Sequence, residues 1–365
     1  MHTNPLTIGP SALASLLGKS INPVYSPAAQ SSIAGRKVLV TGAGGSIGSE
    51  IVRQVHRLDP EVVYLLDHDE GALHALQVEL RGHGLLNDDR IVLADIRDGH
   101  VLDRLMARIR PDIVFHAAAH KHLPLLERYP AEGIKTNVLG TANVVAAAAR
   151  AGTATMVNIS TDKAAAPTSV LGATKRLAER VTAAWAGGDM RVASVRFGNV
   201  LGSRGSFLPT LHWQLSNNLP VTITDPAVTR FFMSIPEAAG LVIEAGEMAS
   251  AGETYVLDMG APVRIEDLVR RFAAGLDVQP RITYTGLRPG EKLHEELSDG
   301  IETLVRTRHS RVSAVVADGP VDPGLLAEVD RLGMAAAVDG DEQLQAHLWT
   351  LLLRTGGDVP LAEAS

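Results

Sequence analysis

An α/β fold of the Rossmann type, a doubly wound parallel sheet with a smaller interleaved C-terminal substrate-binding region, is predicted by three features of the chain. Short runs rich in Val, Ile and Leu alternate with amphipathic stretches from Lys37 to Phe197, the pattern of strands joined by helical crossovers. The first run leads into Gly42-Ala-Gly-Gly-Ser-Ile-Gly48 and then a helix. Later runs end in polar clusters, most densely at Ser160-Thr-Asp-Lys163, and open α/β sheets carry ligands beyond the carboxyl ends of their strands.

Composition narrows the function classes. The chain has 365 residues, 45% hydrophobic and 21% charged, enough for one large domain or two. It has no cysteine, which excludes disulfides, thiolate metal sites and cysteine nucleophiles. A net charge of −7 without a basic cluster argues against a nucleic-acid partner. No apolar run approaches the ~20 residues of a membrane span. Met1 to Lys37 lacks a basic start followed by an apolar block, so a cytoplasmic protein is expected.

In chain order, residues 1–35 are expected to form an arm with one apolar piece, Leu13 to Leu17. Residues 36–200 are expected to form a dinucleotide-binding domain. Lys37 to Thr41 reads as its first strand, and Gly42, Gly45 and Gly48 follow a G-x-x-G-x-x-G spacing into a helix ending near Leu58. Glycines there let backbone approach a pyrophosphate, which the amides around Ser46 and Ile47 at the helix N-terminus would meet. Glu61 to Leu66 is a second strand ending at Asp67. A carboxylate at that place accepts from the adenosine ribose hydroxyls, favouring NAD, with NADP as the alternative. Its competing role is an N-cap for the helix from Glu70.

Arg90 to Ala94 is a third strand, followed by Asp95 and Ile96, placed to contact adenine. Asp112 to His116 is the fourth, and the small Ala117, Ala118 and Ala119 would let the nicotinamide half lie against the backbone. His116, His120 and His122 raise a metal reading, but no carboxylate cluster or H-E-x-x-H helix supports it. A helix from Tyr129 carries Asn137. Ala154 to Ile159 is the fifth strand, Pro167 and Thr168 open a helix carrying Leu171 and Lys175 on one face, and Arg191 to Phe197 is the sixth strand. Taken alone, Asn158 to Arg176 reads equally as a capped turn with a surface ion pair.

Residues 201–354 are expected to be mainly substrate-binding, with elements returning to the sheet. Alternation loosens there into Phe207 to Leu215, Val221 to Thr224, Ile235 to Met248, Thr254 to Leu257 and Arg264 to Ala274. A last helix, Asp341 to Arg354, carries Leu344, Leu348, Leu351 and Leu352 at helical spacing, for packing or a subunit contact. Residues 355–365 read as a tail.

With these residues collected, the chain resembles an extended short-chain dehydrogenase/reductase, and more narrowly the UDP-N-acetylglucosamine 4,6-dehydratases of bacterial polysaccharide synthesis. The matching stretches are Thr41 to Glu50, His116 to Pro124, Lys135 to Thr141, Ser160 to Lys163, Arg196 to Ser206, Thr229 to Met233 and Leu287-Arg-Pro-Gly-Glu-Lys-Leu-His-Glu-Glu296. One position departs from the superfamily: its Tyr-x-x-x-Lys pair stands here as Leu171-Gly-Ala-Thr-Lys175, and leucine cannot titrate.

The resemblance implies oxidation at C4 of the sugar, loss of the C5 proton and C6 hydroxyl as water, and hydride return to C6. It implies Lys163 as the base at C5, its pKa pulled down by the nicotinamide charge and Lys175. Asp162 would be the acid at C6, Thr161 would bond near the C4 oxygen, and Lys175 would hold the nicotinamide ribose. It further implies a nucleotide-sugar pocket of Asn199, Arg204, Thr222, Arg230, Arg288 and Glu291, with paired arginines suiting a diphosphate. A surface ion pair is the competing role of Arg230 and Arg288. Lys121 and Asn137 are further substrate candidates, Lys121 against a solvated lysine. A homo-oligomer is implied, and a nucleotide-sugar epimerase, a dehydratase that also inverts C5, or a non-catalytic NAD-binding protein are the rival readings.

Overall fold

The structure, a computed structural model, describes residues 16, 18, 25–300, 302–316 and 321–355. Most of the expected arm, including all of Leu13 to Leu17 except Leu16, and the tail beyond Thr355 lie outside them. What is described of the arm includes a helix, α1 (Pro27–Ile33), with Pro27 in its first turn and the Ser26 hydroxyl accepting from the Ala29 amide at 3.1 Å. Ala29 and Ile33 are buried in the core.

β1 (Lys37–Thr41) runs through the glycine turn into α2 (Ser46–His56). β2 (Val62–Asp67), α3 (Glu70–Arg81), β3 (Ile91–Leu93), α4 (Gly99–Ile109) and β4 (Ile113–His116) continue the alternation. After a short α5 (Leu123–Arg128), the helix expected from Tyr129 runs from Pro130 to Arg150, as α6 (Pro130–Gly133), a π-helical turn, Ile134–Leu139, and α7 (Gly140–Arg150). β5 (Thr155–Ile159) ends in a 3₁₀ turn, Asp162–Ala164, and α8 (Val170–Ala183) follows. Pro167 and Thr168 lie before α8 rather than in it; Ser169 is the cap, its hydroxyl accepting from the Gly172 amide at 3.1 Å.

β6 (Arg191–Arg196), β7 (Asn199–Leu201), α9 (Phe207–Ser216), β8 (Val221–Ile223), β9 (Thr229–Arg230), β10 (Phe232–Ser234) and α10 (Ile235–Met248) follow. Then come β11 (Ala251–Leu257), β12 (Val263–Arg264), α11 (Ile265–Ala274), β13 (Ile282–Tyr284), β14 (Thr303–Arg306), β15 (Val312–Val316), α12 (Leu325–Ala335) and α13 (Asp341–Arg354).

Among the described residues the main sheet has nine strands in the order β14-β15-β11-β6-β5-β4-β1-β2-β3. From β3 to β11 all neighbours are parallel. β15 and β14 extend it antiparallel, a hairpin with no counterpart in the sequence reading. Alternation of side chains along each strand splits the core in two. Val38, Val40, Phe115, Val157 and Val195 face a layer that includes α1, α2 and α10, whereas Leu39, Val114, Met156 and Val192 face one that includes α4, α7, α8, α12 and α13. Leu344, Leu348, Leu351 and Leu352 are buried in this second layer, so the chain's own packing accounts for them and no subunit contact is required. A smaller core gathers Leu208, Leu211, Val221, Leu268 and Val269 beside the strand ends. No described helix is long and apolar enough to cross a membrane.

Candidate functional site

Parallel strands that start together also end together, so the turns after β1, β2, β4, β5 and β6 meet at one edge. Two cavities open there, about 220 and about 600 Å³, sharing Gly45, Ala117, Ala119, His120 and Arg204 in their walls. The smaller is lined also by Gly42, Asp67, Asp95, Ile96 and Ala118. The larger is lined also by Ser46, Ile47, Gly48, Lys121, Thr161, Lys163, Leu171, Lys175 and Asn199.

Glycine is required in the first turn. Gly42 sits at φ +66°, where a Cβ would lie 2.6 Å from the Ala118 nitrogen, and a Cβ on Gly48 would lie 2.1 Å from the Gly42 oxygen. Asp67 does not cap α3; the Asp69 carboxylate does, accepting from the Ala72 amide at 3.0 Å. Asp67 instead accepts from the Gly44 amide at 2.8 Å and the Asp69 amide at 3.0 Å, pinning the glycine turn to the end of β2. This bare backbone cradle, with a carboxylate at one end, fits a dinucleotide such as NAD. Arg97 also reaches the smaller cavity, but its guanidinium is taken by Asp95 at 2.6 Å and Glu132 at 3.2 Å.

Asn137, a substrate candidate from the sequence, lines neither cavity. It is fully buried, its carbonyl accepting from the His120 amide at 2.8 Å and its amide donating to the His120 carbonyl and Thr174 hydroxyl, each at 3.1 Å. It clamps the loop after β4. His116 is likewise internal, 2.7 Å from the Thr41 hydroxyl and 3.0 Å from that of Thr141. Burial, with help from the Lys175 charge, pushes its pKa down to about 3. Lys121 is not simply solvated: its ammonium donates to the Arg204 carbonyl at 2.6 Å, and the Arg204 amide donates to the Ser46 hydroxyl at 2.9 Å. That loop is thus tied across the glycine turn.

At the end of β5, Thr161 caps the 3₁₀ turn and its hydroxyl donates to Asp162 Oδ1 at 2.9 Å. Lys163 Nζ lies 3.0 Å from the same oxygen, 3.4 Å from Asn199 Oδ1 and 3.4 Å from Glu295 Oε1. Asp162 itself is wholly buried and does not line the cavity; it meets that space through the Thr161 hydroxyl and the Lys163 ammonium. Its Oδ2 has no hydrogen-bond partner among the described residues and would lie 2.7 Å from a Cβ on Gly198. The expected fall in the Lys163 pKa is corrected. Burial does disfavour its charge, but Asp162 and Glu295 outweigh burial and hold it above the ordinary lysine value. Lys175 shifts down, to about 8, because it is buried with only partial compensation from Glu179.

Arg230 is buried, which removes the surface-pair alternative for it. It donates to Glu291 Oε1 at 3.0 Å and to the Thr229 and Leu293 carbonyls at 2.7 and 3.1 Å. Arg288 is exposed and pairs with the other oxygen of Glu291 at 3.2 Å. Thr222 is exposed and accepts from the Gln214 amide at 3.4 Å. Thr222, Arg230, Arg288 and Glu291 are not in the wall of the larger cavity; Glu295, 3.7 Å from Arg230 Nε, connects them to Lys163.

Glu295 and a buried ion-pair cluster behind α8 were not singled out from sequence. Arg196 is fully buried, with Nε and Nη2 each 2.7 Å from a Glu179 oxygen and Nη1 2.7 Å from Glu302; Glu179 also accepts from the Ser160 hydroxyl at 2.5 Å. Arg176 joins Glu302 and lies 3.2 Å from Asp299. For Glu295 the available signal was its place in the Leu287 to Glu296 stretch; for the cluster there was none, since its members lie on α8, on β6 and at Asp299 and Glu302.

Known proteins share this sequence and fold. Residues 38–317 match the family described as polysaccharide biosynthesis protein. The chain is 43% identical over 332 residues to the probable polysaccharide biosynthesis protein EpsC of Bacillus subtilis, covering 86% of this chain and 55% of that protein. It is 44% identical over 301 residues to the capsular polysaccharide biosynthesis protein CapD of Staphylococcus aureus, covering 81% and 50%. The chain thus spans about half the length of these relatives. A protein named UDP-glucose 4-epimerase from Rickettsia bellii is 33% identical over 270 residues, covering 72% and 77%. Among solved structures, Pen from Bacillus thuringiensis superimposes with a TM-score of 0.72 at 33% identity, covering 80% of this chain and 89% of that one. The chain belongs to the polysaccharide biosynthesis protein family, built on the extended short-chain dehydrogenase/reductase fold.

Proposed function

We propose that the protein is an NAD-dependent nucleotide-sugar 4,6-dehydratase acting on UDP-N-acetylglucosamine. The observation that carries this reading is the Asp162–Lys163 contact of 3.0 Å at the wall of the larger cavity, opposite the glycine turn. Elimination across C5 and C6 needs one group to take the C5 proton and another to give a proton to the departing hydroxyl. An ammonium beside a carboxylate holds the same number of protons as an amine beside a carboxylic acid. Passing one proton from Lys163 Nζ to Asp162 Oδ1 therefore yields both required forms. Lys163 then accepts the C5 proton, and Asp162 gives its proton to the C6 oxygen through the Thr161 hydroxyl, which touches both Asp162 and the cavity. Hydride return to C6 leaves C5 short of a proton; Lys163 gives one back there, and the proton taken from the C4 hydroxyl restores the pair.

NAD supplies hydride removal at C4 and its return at C6. Glycines 42, 45 and 48 would hold its pyrophosphate at the start of α2, Asp67 would meet its adenosine ribose, and Lys175 its nicotinamide ribose. Leu171 fills the place of the superfamily's tyrosine and lines the cavity without titrating. Lys175 is the nearest cavity-lining group on the same helix face whose pKa, about 8, suits receipt of the C4 hydroxyl proton. The buried Arg230 and the Arg288–Glu291 pair provide guanidinium and carboxylate for the UDP portion.

The likeness to a protein named an epimerase supports a second reading, in which hydride returns to C4 from the other face. Incubation with UDP-N-acetylglucosamine separates the two: a product lighter by one water is expected, and its NMR spectrum gives the C5 configuration. A product of unchanged mass with inverted stereochemistry would establish the epimerase instead. No turnover over a panel of nucleotide sugars, with cofactor retained, would leave a cofactor-binding protein.

A further inference from the structure

Glu295 is buried and touches two cations of the site, Lys163 at 3.4 Å and Arg230 at 3.7 Å. Neither contact is needed to seat the segment that carries it. The Leu293 carbonyl accepts from the Thr229 amide at 3.1 Å, and His294 Nδ1 lies 2.8 Å from the Thr229 hydroxyl, so the chain on either side of Leu293 is tied to β9 independently. Arg230 has its own carboxylate in Glu291. Burying a second carboxylate here costs several kcal/mol unless a charge meets it, and the charge within reach that has a chemical task is Lys163.

Resting on the dehydratase reading, we infer that Glu295 is a positioning residue of the reaction: it anchors the Lys163 side chain from the side opposite Asp162 and keeps its proton in place in the resting enzyme. The charged groups facing Lys163 are Asp162 from the 3₁₀ turn, Glu295 from the segment after β13, and Arg230 from β9. Two carboxylates against one guanidinium favour the ammonium. Removing the charge of Glu295 leaves Asp162 alone against Arg230, and Lys163 then releases its proton at lower pH.

The test compares wild-type protein with Glu295→Gln, which keeps size and removes charge. Competitive acetylation by acetic anhydride across pH, read by mass spectrometry of the Lys163 peptide, follows the Lys163 proton directly and needs no turnover. The labelling midpoint is expected to move down by about one pH unit or more in Glu295→Gln. The alkaline limb of the kcat profile is expected to move down with it, while KM for UDP-N-acetylglucosamine changes less than kcat and bound NAD is retained. Glu295→Asp should restore part of both shifts, and serves if the glutamine variant fails to fold. An unchanged labelling midpoint with a raised KM would overturn the inference and leave Glu295 as a seat for Arg230 only. If wild-type protein turns over no nucleotide sugar, the dehydratase reading fails, but the labelling still decides whether Glu295 governs the Lys163 proton.

Discussion

Arg196 forks onto Glu179 inside the protein, Nε and Nη2 each 2.7 Å from a carboxylate oxygen, with no part of the arginine exposed. The pair joins β6 to α8, the helix that carries Leu171 and Lys175, and Glu179 reaches on to Ser160 next to Thr161. Removing one partner strands a buried charge, so Arg196→Ala is expected to cost about 3–5 kcal/mol in denaturant unfolding. A loss within 1 kcal/mol would mean the cluster is not structural.

Glu302 makes this cluster pH-sensitive. Its burial alone would raise its pKa, yet Arg196 and Arg176 pull it from 4.5 down to about 2. A carboxylate depressed on folding stabilises fully above its unfolded value and loses that contribution as pH falls through the folded one. Roughly 3 kcal/mol should therefore disappear between pH 4.5 and 2. Glu302→Gln should lose stability at neutral pH and show a flatter acid limb in thermal melts across that range.

Lys175 is also depressed, but there folding disfavours the charged form instead of favouring it. Its pKa falls from 10.5 to about 8 on folding, so between those values the unfolded chain binds a proton that the folded one refuses. Stability of cofactor-stripped protein should rise as pH climbs through that window, by up to roughly 3 kcal/mol. Lys175→Met should abolish the rise, be more stable than wild type at pH 7, and lose turnover. A wild-type melting curve flat over that window would refute the assignment.

Lys163→Ala is expected to lower kcat by about 10²–10⁴-fold while NAD stays bound, since the substitution removes the proposed base but no part of the glycine cradle. Turnover and cofactor absorbance on the same sample check this; near-normal turnover would remove Lys163 from the mechanism.

Gly198→Ala tests the space behind the pair. The added Cβ would stand 2.7 Å from Asp162 Oδ2 and 3.1 Å from Phe231 Cβ. Overpacking of this kind costs about 1–3 kcal/mol, and displacement of Asp162 should lower kcat more than it alters KM. Wild-type kinetics would show that Asp162 tolerates movement.

Much of this molecule is written locally. The strand from Lys37, the glycine turn and the strand leading to Ser160 are legible because burial between two helical layers demands continuous apolar runs, and because only glycine survives the approach of Ala118. Thr161, Asp162 and Lys163 stand together since they are adjacent in the chain. The tertiary structure alone decided that Asp162 is buried beneath Lys163, that Asn137 clamps a loop, and that the Lys163 pKa rises where a fall was expected. The reason is long-range electrostatics: Glu295, far along the chain, sets that direction together with Asp162, and no periodicity encodes which distant carboxylate will arrive beside an amine. The same holds for Arg196, Glu179 and Glu302, whose charges find each other only once β6, α8 and the chain at Glu302 have been packed together.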